Sequence, residues 1–239
     1  TFRTVDVVGL DTLVHVANGL YENCPNDEAH ELFKLPTFIN HMMENKWLGS
    51  KTKQGFYKKV DKDILSLDLE TLEYRSAKKA SFQTLELTKT IDKVVDRFKV
   101  LVKGKDKAGE FYRKSFAGLF TYVSNRVPEI TDDLYKIDDA MKAGFGWEHG
   151  PFQIWDAIGV EKALEFMNEI GEKPADWVQE MLDSGNKSFY TVKEGVNYYY
   201  DITSKFQKKI PGQDAFIILD NIRDTKKVWG NAETSLFDL

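Results

Sequence analysis

Apolar residues follow a helical spacing from the first residues of the chain onward. They recur three or four positions apart, in two runs separated by Gly9, at Val5, Val8, Leu10, Leu13 and Val14. One side of each run is therefore apolar, which is typical of a short amphipathic helix packed on a core. The pattern predicts two such helices joined at Gly9.

The same pattern returns in the second half of the chain. The stretch TFRTVDVVGLDTLVHVANGL (1–20) aligns without gaps with PFQIWDAIGVEKALEFMNEI (151–170). Further on, LPTFINHMMENKWLGSKTKQGFY (35–57) corresponds to KPADWVQEMLDSGNKSFY (173–190), and both end in Phe-Tyr. We therefore predict two copies of one unit, each made of a helix, a glycine turn, a second helix, a helix begun by a proline, and a short strand.

Glycine, aspartate and proline stand where the ends of these helices are expected. Gly9 and Gly159 would close the first helix of each copy in a left-handed conformation, which glycine adopts at little cost. Asp11 would cap the helix that follows Gly9. Pro36 and Pro174 would lie in the first turn of their helices, where no backbone donor is lost.

Two aspartates, Asp6 and Asp156, occupy the same position of the two copies. A functional interpretation makes them catalytic acids or bases. A structural interpretation makes each one an acceptor for free backbone amides across the turn at the helix end. Repetition favours the structural interpretation, because a role in the fold recurs with the fold. Replacing Asp156 with alanine would then cost about 1–2 kcal/mol.

The segments outside the repeat are predicted to form other helices and short strands. A helix is predicted over 84–102, after a short extended piece near Tyr74, and a long helix is predicted from about Ala108 until Pro128 kinks or ends it. The tail is rich in aromatic and β-branched residues and predicts two to four short strands. The chain as a whole is predicted to be mainly α, with duplicated helical units and a small β segment at the C-terminus.

Composition and charge narrow the function classes. Hydrophobic residues make up 42% of the 239 residues, enough for a packed core. The net charge of −5 gives no overall attraction to nucleic acid. The chain contains no apolar run long enough to span a membrane, and its single cysteine, Cys24, fits a cytoplasmic location. Because it begins with Thr inside a helical pattern, the chain is expected to be a piece of a longer protein.

The sequence contains none of the short motifs that by themselves indicate a nucleotide-binding, metal-binding or catalytic site. It contains no strand–GxGxxG–helix unit, no P-loop, and no CxxC, HExxH or GxSxG pattern. His41 has no companion at ligand spacing, so no metal site is predicted. Asn125 has two interpretations: its amide orients a substrate carbonyl or a catalytic imidazole, or it satisfies a carbonyl freed by Pro128. We therefore predict no catalytic, cofactor-binding or metal-binding residues in this chain.

Three stretches resemble a known family in combination. SNRVPEITDDLYKIDDAMKAGFGWEHGPFQIWDAIG (124–159) resembles the C-terminal domain of 3-hydroxyacyl-CoA dehydrogenases, with its Asn-Arg helix, Ile-Asp-X-Ala-Met, Gly-X-Gly, Gly-Pro-Phe and Asp-X-X-Gly. TVDVVGLDTLVH (4–15) and LGSKTKQGFYKK (48–59) resemble the matching half of a first copy. The resemblance implies a truncated first unit (1–60), a connecting segment with a helix (61–104), a second unit (105–190) and a β-rich connector (191–239).

The resemblance also implies a function for the longer protein. It would be an NAD-dependent 3-hydroxyacyl-CoA dehydrogenase of fatty acid β-oxidation. NAD would bind outside this chain, and the catalytic residues would also lie outside it. Its partners would be an upstream NAD-binding domain, a downstream enoyl-CoA hydratase domain, the acyl-CoA substrate and, in a homodimer, a second subunit. The catalytic asparagine belongs to the first copy, so Asn125 does not inherit its role. The chain alone would be inactive. A non-catalytic helical interaction module is the alternative from a different class.

One cluster of lysines is a candidate for substrate binding. Near the end of the first copy, basic residues surround Trp47 and Phe56: Lys46, Lys51, Lys53, Lys58 and Lys59. Lys51 and Lys53 would hold the phosphates of CoA while the aromatic rings provide apolar surface. The alternative is a solvated basic edge beside ordinary core aromatics.

Overall fold

The computed structural model describes residues 1–78, 80–223, 225–231 and 233–238, and of residue 214 the backbone alone. The chain divides into two compact units, Thr1–Ala80 (unit 1) and Ser81–Leu239 (unit 2). Among the described residues, no helix combines the length and the apolar character that crossing a membrane requires.

Unit 1 consists of three helices followed by a small antiparallel sheet. In chain order the elements are α1 (Phe2–Val8), α2 (Leu10–Asn23), a 3-10 turn (His30–Phe33), α3 (Thr37–Glu44), a second 3-10 turn (Ser50–Thr52), β1 (Tyr57–Val60), β2 (Asp63–Leu67) and β3 (Tyr74–Ser76). The sheet is a meander in the order β1-β2-β3, with Tyr57 opposite Ser66. The buried core lies between the helices and the sheet, at Leu10, Ile39, Met42, Phe56 and Leu67.

Unit 2 begins with four helices, which are followed by three more helices and a three-stranded sheet. The first group is α4 (Gln83–Thr88), α5 (Val94–Lys103), α6 (Lys107–Asn125) and α7 (Leu134–Phe145). The second is α8 (Pro151–Ile158), α9 (Val160–Ile170), α10 (Asp176–Asp183), β4 (Tyr190–Lys193), β5 (Val196–Asp201) and β6 (Phe206–Lys209). The chain continues through a 3-10 turn (Gln213–Ala215), α11 (Leu219–Ile222), β7 (Lys227–Gly230) and β8 (Ser235–Phe237).

Stacked aromatic rings form the centre of unit 2. The rings of Phe120 and Trp155 lie nearly parallel with centroids 4.6 Å apart, and Phe189 packs against Trp155 at 5.0 Å. All three side chains are fully buried. Aromatic pairs add stabilisation beyond their buried area, so this stack ties α6 to α8 and to the segment before β4. The protein is mainly α with small sheets, as predicted.

The connecting segment and the tail differ from the prediction in detail. The helix predicted over 84–102 is two helices, α4 and α5, because the backbone between them turns. Arg97 Nε donates to the Ile91 carbonyl at 2.6 Å and so satisfies a group that the break leaves unpaired. The described part of the tail contains five strands, β4 to β8, where two to four were predicted. Helix α6 ends at Asn125, ahead of Pro128, as predicted.

Five of the predicted helix ends need correction. Gly9 and Gly159 have positive φ (115° and 100°), as expected, but their ψ of 132° and 124° lies far from the left-handed helical value. Gly9 also caps α2, so the prediction that Asp11 caps it was wrong; Asp11 lies inside the first turn. Pro36 is the N-cap of α3, and Pro174 precedes the N-cap of α10, so neither proline lies in the first turn.

Candidate functional site

The candidate site of unit 1 is built around Asp6, a buried residue of α1. Asp6 Oδ1 accepts a hydrogen bond from the Phe56 amide at 2.9 Å, and Oδ2 accepts one from the Tyr57 amide at 2.8 Å. These amides lie where the loop after α3 enters β1. The carboxylate therefore fastens α1 to the start of the sheet. The prediction that it bonds amides across the turn at Gly9 was wrong, because its partners lie about fifty residues further along the chain.

Asp156 makes the same contacts in unit 2. Its two carboxylate oxygens accept hydrogen bonds from the Phe189 and Tyr190 amides, both at 2.8 Å, at the start of β4. Burial raises the pKa of Asp156 to about 7, although both N–H donors favour the charged form. Asp156 thus joins α8 to the sheet as Asp6 joins α1.

A second buried carboxylate, Asp138 of α7, joins this arrangement. It accepts hydrogen bonds from the Phe152 amide at 2.9 Å, the Gln153 amide at 3.0 Å and the Tyr190 hydroxyl at 2.8 Å. Burial raises the pKa of Asp138 to about 6, against the effect of these donors. Tyr190 therefore bridges the two aspartates, its amide on Asp156 and its hydroxyl on Asp138. In the part of unit 1 that the structure describes, the corresponding Tyr57 hydroxyl has no such partner.

Two glycines allow the loop after α3 to lie against α1. A Cβ on Gly55 would overlap the Asp6 carboxylate and lie 2.6 Å from the Gly49 Cα, and a Cβ on Gly49 would lie 2.6 Å from the Asp6 Cα. Gly49 also has a φ of 100°. Only glycine fits both positions, which explains physically why glycine stands at 49 and 55 in the stretch GSKTKQGFY (49–57).

Replacing Gly55 with alanine is expected to lower the free energy of unfolding of unit 1 by about 2–4 kcal/mol, since the new methyl group must displace the buried carboxylate from its two amides. Urea denaturation followed by circular dichroism measures the change. Gly19→Ala is the matched control: Gly19 lies inside α2 with open space at its Cβ position, and alanine there should stabilise the helix slightly. Equal unfolding midpoints for Gly55→Ala and the unmodified chain would contradict the expectation.

The polar residues between these glycines hold the loop in shape. Thr52 Oγ1 accepts from the Leu48 amide and donates to the Gln54 carbonyl, each at 3.0 Å. Lys51 Nζ lies 2.5 Å from both carboxylate oxygens of Asp11, which lowers the pKa of Asp11. Lys51 is therefore already paired with an anion of the chain.

Lys53 has a different environment from Lys51. It lies in a left-handed turn with φ of 59° and faces a cavity of about 520 Å³ that Lys51 does not line. The structure thus separates the two lysines that the sequence analysis grouped together. The cavity is lined by three cations, two carboxylates and mostly small or apolar residues: Arg3, Lys53, Lys59, Asp6, Asp61, Val7, Gly49, Ser50, Tyr57 and Ile64. Since Asp6 is engaged by two amides, the lining favours an anion.

The other candidates lie apart from this cavity. Lys58 Nζ sits over the ring of Tyr74 at 5.4 Å, and Trp47 packs on the same ring at 5.5 Å. His41 contacts the edge of Trp47 at 5.3 Å. Among the described residues, no group of three or more His, Cys, Asp or Glu side chains could hold a metal ion. Asn125 is the last residue of α6, and its two interpretations remain predictions.

Arg3, Tyr57 and Asp138 are among the residues of the site that the sequence did not single out. The repeat contained a signal for Tyr57, since both copies end in Phe-Tyr, and Asp138 lies in the Ile-Asp-X-Ala-Met stretch. Arg3 carried no signal, because its position is occupied by Gln153 in the second copy.

Comparison with known proteins assigns the family. The model of the family described as 3-hydroxyacyl-CoA dehydrogenase, C-terminal domain, matches residues 1–59 and 116–199. A probable 3-hydroxyacyl-CoA dehydrogenase of Bacillus subtilis is 41% identical over 240 residues, covering all of this chain and 30% of that protein. A putative fatty acid oxidation complex trifunctional enzyme of Rickettsia felis is 27% identical over 248 residues, covering 99% of this chain and 30% of that protein.

A third relative, the fatty acid oxidation complex subunit alpha of Psychrobacter cryohalolentis, is 37% identical over 167 residues, covering 67% of this chain and 20% of that protein. No solved structure matches the chain significantly. The chain spans about 30% of the length of the first two relatives. The family match takes in more than half of the chain and includes the motif stretches that carried the resemblance. The chain therefore belongs to the 3-hydroxyacyl-CoA dehydrogenase C-terminal domain family.

Proposed function

We propose that this chain is the C-terminal part of an NAD-dependent 3-hydroxyacyl-CoA dehydrogenase of fatty acid β-oxidation. In that reaction the C3–H hydride of a 3-hydroxyacyl-CoA passes to NAD and the 3-hydroxyl proton passes to a base, which leaves a 3-oxoacyl-CoA. The observation that carries the proposal is the family match, together with relatives named as 3-hydroxyacyl-CoA dehydrogenases and fatty acid oxidation enzymes.

The residues of this chain do not fit NAD. Dinucleotide binding needs a parallel strand–turn–helix unit with a glycine-rich first turn. The paired strands among the described residues are antiparallel, and the sequence contains no such turn after a strand. We therefore place NAD and the chemical step on residues outside this chain. Its own residues would build the wall of the substrate cleft.

We also propose that units 1 and 2 contain two copies of one fold, with boundaries at 1–60, 61–104, 105–190 and 191–239. The order of elements supports this, since α1-α2-α3-β1-β2-β3 corresponds to α8-α9-α10-β4-β5-β6. The contacts support it too. The Phe56 carbonyl accepts from Leu67 at 2.8 Å, and the Phe189 carbonyl accepts from Tyr200 at 2.7 Å. The shared role of Asp6 and Asp156 in joining helix to sheet gives the strongest support.

Lys51 and Lys53 are proposed to serve the substrate in different ways. Lys53, with Arg3 and Lys59 around the same cavity, would attract the phosphates of CoA. Lys51, through Asp11, would hold the loop that carries Lys53. Tyr57 and Ile64 supply apolar surface beside these cations.

Replacing Lys53 with alanine in the full-length enzyme is expected to raise KM for a 3-hydroxyacyl-CoA about three- to tenfold at low salt, with kcat unchanged. At high salt the difference should shrink, because screening weakens exposed phosphate contacts. Steady-state rates, followed as NADH absorbance, measure both constants. Lys173→Ala is the control, because Lys173 is an exposed lysine of unit 2. A KM and a salt dependence equal to those of the unmodified enzyme would leave Lys53 as part of a solvated basic edge.

For the whole protein we propose an NAD-binding domain and an enoyl-CoA hydratase domain as neighbours on the same polypeptide, a cytoplasmic location and a homodimer. The names of the Rickettsia felis and Psychrobacter cryohalolentis relatives, which refer to a complex, support an enzyme of several activities. The alternative is a non-catalytic helical interaction module. A full-length protein that forms no NADH from 3-hydroxyacyl-CoA and NAD would favour that alternative.

A further inference from the structure

A cavity of about 290 Å³ in unit 2 is lined by more positive than negative side chains. Its lining comes from the end of α5, the loop that follows it, α6 and α9. Two carboxylates, Glu165 and Glu169, face four cations: Lys103, Lys105, Arg113 and Lys162. We call the four cations the basic cluster of unit 2. The unit 1 cavity that contains Lys53 shares no lining residue with it, so the basic cluster is a feature of its own.

The lysines of this cluster are not paired as other lysines of unit 2 are. Lys142, which is half-buried, lies 2.8 Å from Asp139, three positions before it. Lys162 is also half-buried and has Glu165 three positions after it, yet none of the described carboxylates, Glu165 included, lies within salt-bridge distance of Lys162. The ammonium group of Lys162 is instead close to that of Lys103. Two like charges thus meet at the wall of the cavity.

A charged Lys162 is unfavourable for the fold of the free chain. Burial, and then the charge of Lys103, lower the pKa of Lys162, and Glu165 opposes this only in part. Lys162 also lies in the first turn of α9, where the partial positive charge of the helix end disfavours a cation. The fold does not require a lysine there, since Thr12 occupies the aligned position of the first copy. A perturbed cation that lines a cavity without a structural role is typical of a binding site.

Arg113 adds a fixed cation to the same cavity. Its Nη1 donates to the Val102 carbonyl at 2.9 Å and to the Gly104 carbonyl at 2.5 Å. These two bonds hold the guanidinium group at the end of α5. A guanidinium group fixed in this way is suited to the oxygens of a phosphate group, because its planar N–H donors match their geometry.

We infer that the basic cluster of unit 2 binds the phosphate or diphosphate group of a small soluble molecule. The group lies between the ammonium groups of Lys103 and Lys162, where it removes their repulsion, and Arg113 is its third contact. Two sources supply this chemistry: a free inorganic anion and the nucleotide end of CoA. The inference depends neither on the proposed function nor on Lys53.

An NMR titration of the chain tests the inference, with inorganic phosphate, pyrophosphate and CoA as separate probes. Ionic strength is held constant with NaCl, because screening alone changes exposed charge contacts. The amides of Gly104, Lys105 and Ala163 report on the basic cluster. The amide of Lys53 reports on the unit 1 cavity, so binding at each cavity is followed on its own residues.

Two variants each remove one ammonium group and keep most of the side-chain stem: Lys103→Gln and Lys162→Gln. Lys99→Gln is the matched control, because Lys99 lies on the same helix as Lys103, pairs with Asp96 at 3.0 Å and does not line the cavity. Lys103 is exposed. If Lys162→Gln does not fold, Lys103→Gln decides the test alone.

We expect saturable shifts at the basic cluster, with a pyrophosphate Kd that rises about five- to tenfold in either variant and stays within about twofold in the control. The Lys162 pKa, followed by NMR of its side chain, should rise when pyrophosphate binds. Shifts that do not saturate, or equal Kd values for Lys103→Gln and Lys99→Gln, would overturn the inference.

The CoA titration distinguishes the two sources. Saturation by CoA that is weakened in Lys103→Gln supports the inference and assigns the cluster to the phosphates of CoA. Saturation by pyrophosphate without any by CoA supports it and assigns the cluster to a free inorganic anion. None of these measurements depends on catalysis, so an inactive full-length enzyme would refute the proposed function and leave the anion site unaffected.

Discussion

Replacing Asp156 with alanine is expected to lower the free energy of unfolding of unit 2 by about 2–4 kcal/mol. The substitution leaves the Phe189 and Tyr190 amides without their acceptor, and a buried unsatisfied donor costs about 1–3 kcal/mol. Phe189 is 0% exposed, so water does not readily replace the lost carboxylate there. The expected cost exceeds the 1–2 kcal/mol of an ordinary helix cap, because these bonds connect a helix to a sheet instead of closing a helix end.

Urea denaturation at constant pH measures this loss, with tryptophan fluorescence reporting on unit 2. Asp183→Ala serves as the control, since Asp183 ends α10 and accepts a hydrogen bond from the exposed side-chain amide of Gln179; its effect should stay within about 0.5 kcal/mol. Asp156→Asn keeps the size of the side chain and one acceptor, so it should fall between the two. An Asp156→Ala variant as stable as the Asp183→Ala variant would rule out the connecting role.

The recurrence of Asp6 and Asp156 predicted a structural role from the sequence, but their partners could not be predicted. Every residue except proline carries a backbone amide, so an acceptor in one helix gives no indication of which distant amides it meets. The partners of Asp6 are determined by the glycines of the 49–57 loop. Only glycine permits the backbone approach that brings Asp6 to Phe56 and Tyr57, and that requirement becomes visible only when the helix and the loop are placed together.

The grouping of Lys51 with Lys53 shows a second limit. The two residues are neighbours in sequence, but a left-handed turn at Lys53 separates their side chains. The partner of Lys51 is Asp11, forty positions away, so no local sequence pattern predicts this ion pair. Helices α4 and α5 illustrate the same point. Their apolar spacing runs on unbroken, and the hydrogen bond from Arg97 to the Ile91 carbonyl at the break is not visible in that spacing.

The free energy of unfolding of the chain is expected to fall by about 2–4 kcal/mol as the pH rises from 5 to 8. Burial raises the pKa of Asp138 to about 6 and that of Asp156 to about 7 in the folded state, against 3.8 for an ordinary aspartate. Well below pH 3.8 both carboxyls are protonated in the folded and in the unfolded chain. Between pH 3.8 and the folded pKa of each group, the unfolded chain releases a proton that the folded chain keeps, so the free energy of unfolding falls by about 1.4 kcal/mol for each pH unit and levels off above the folded pKa.

The window from pH 5 to 8 separates the titration of Asp138 and Asp156 from the titration of the surface carboxylates. Asp106, whose pKa is lowered to about 2 by hydrogen bonds from Thr84 and Gly109, is ionised throughout the window and contributes no slope there. Urea midpoints at half-unit intervals of pH give the profile. Asp156→Ala removes one of the two titrating groups, so its profile should be flatter than that of the unmodified chain. A profile that rises with pH would show that the amide donors outweigh burial and keep both carboxylates charged. Equal slopes for the two proteins would show the same for Asp156 alone.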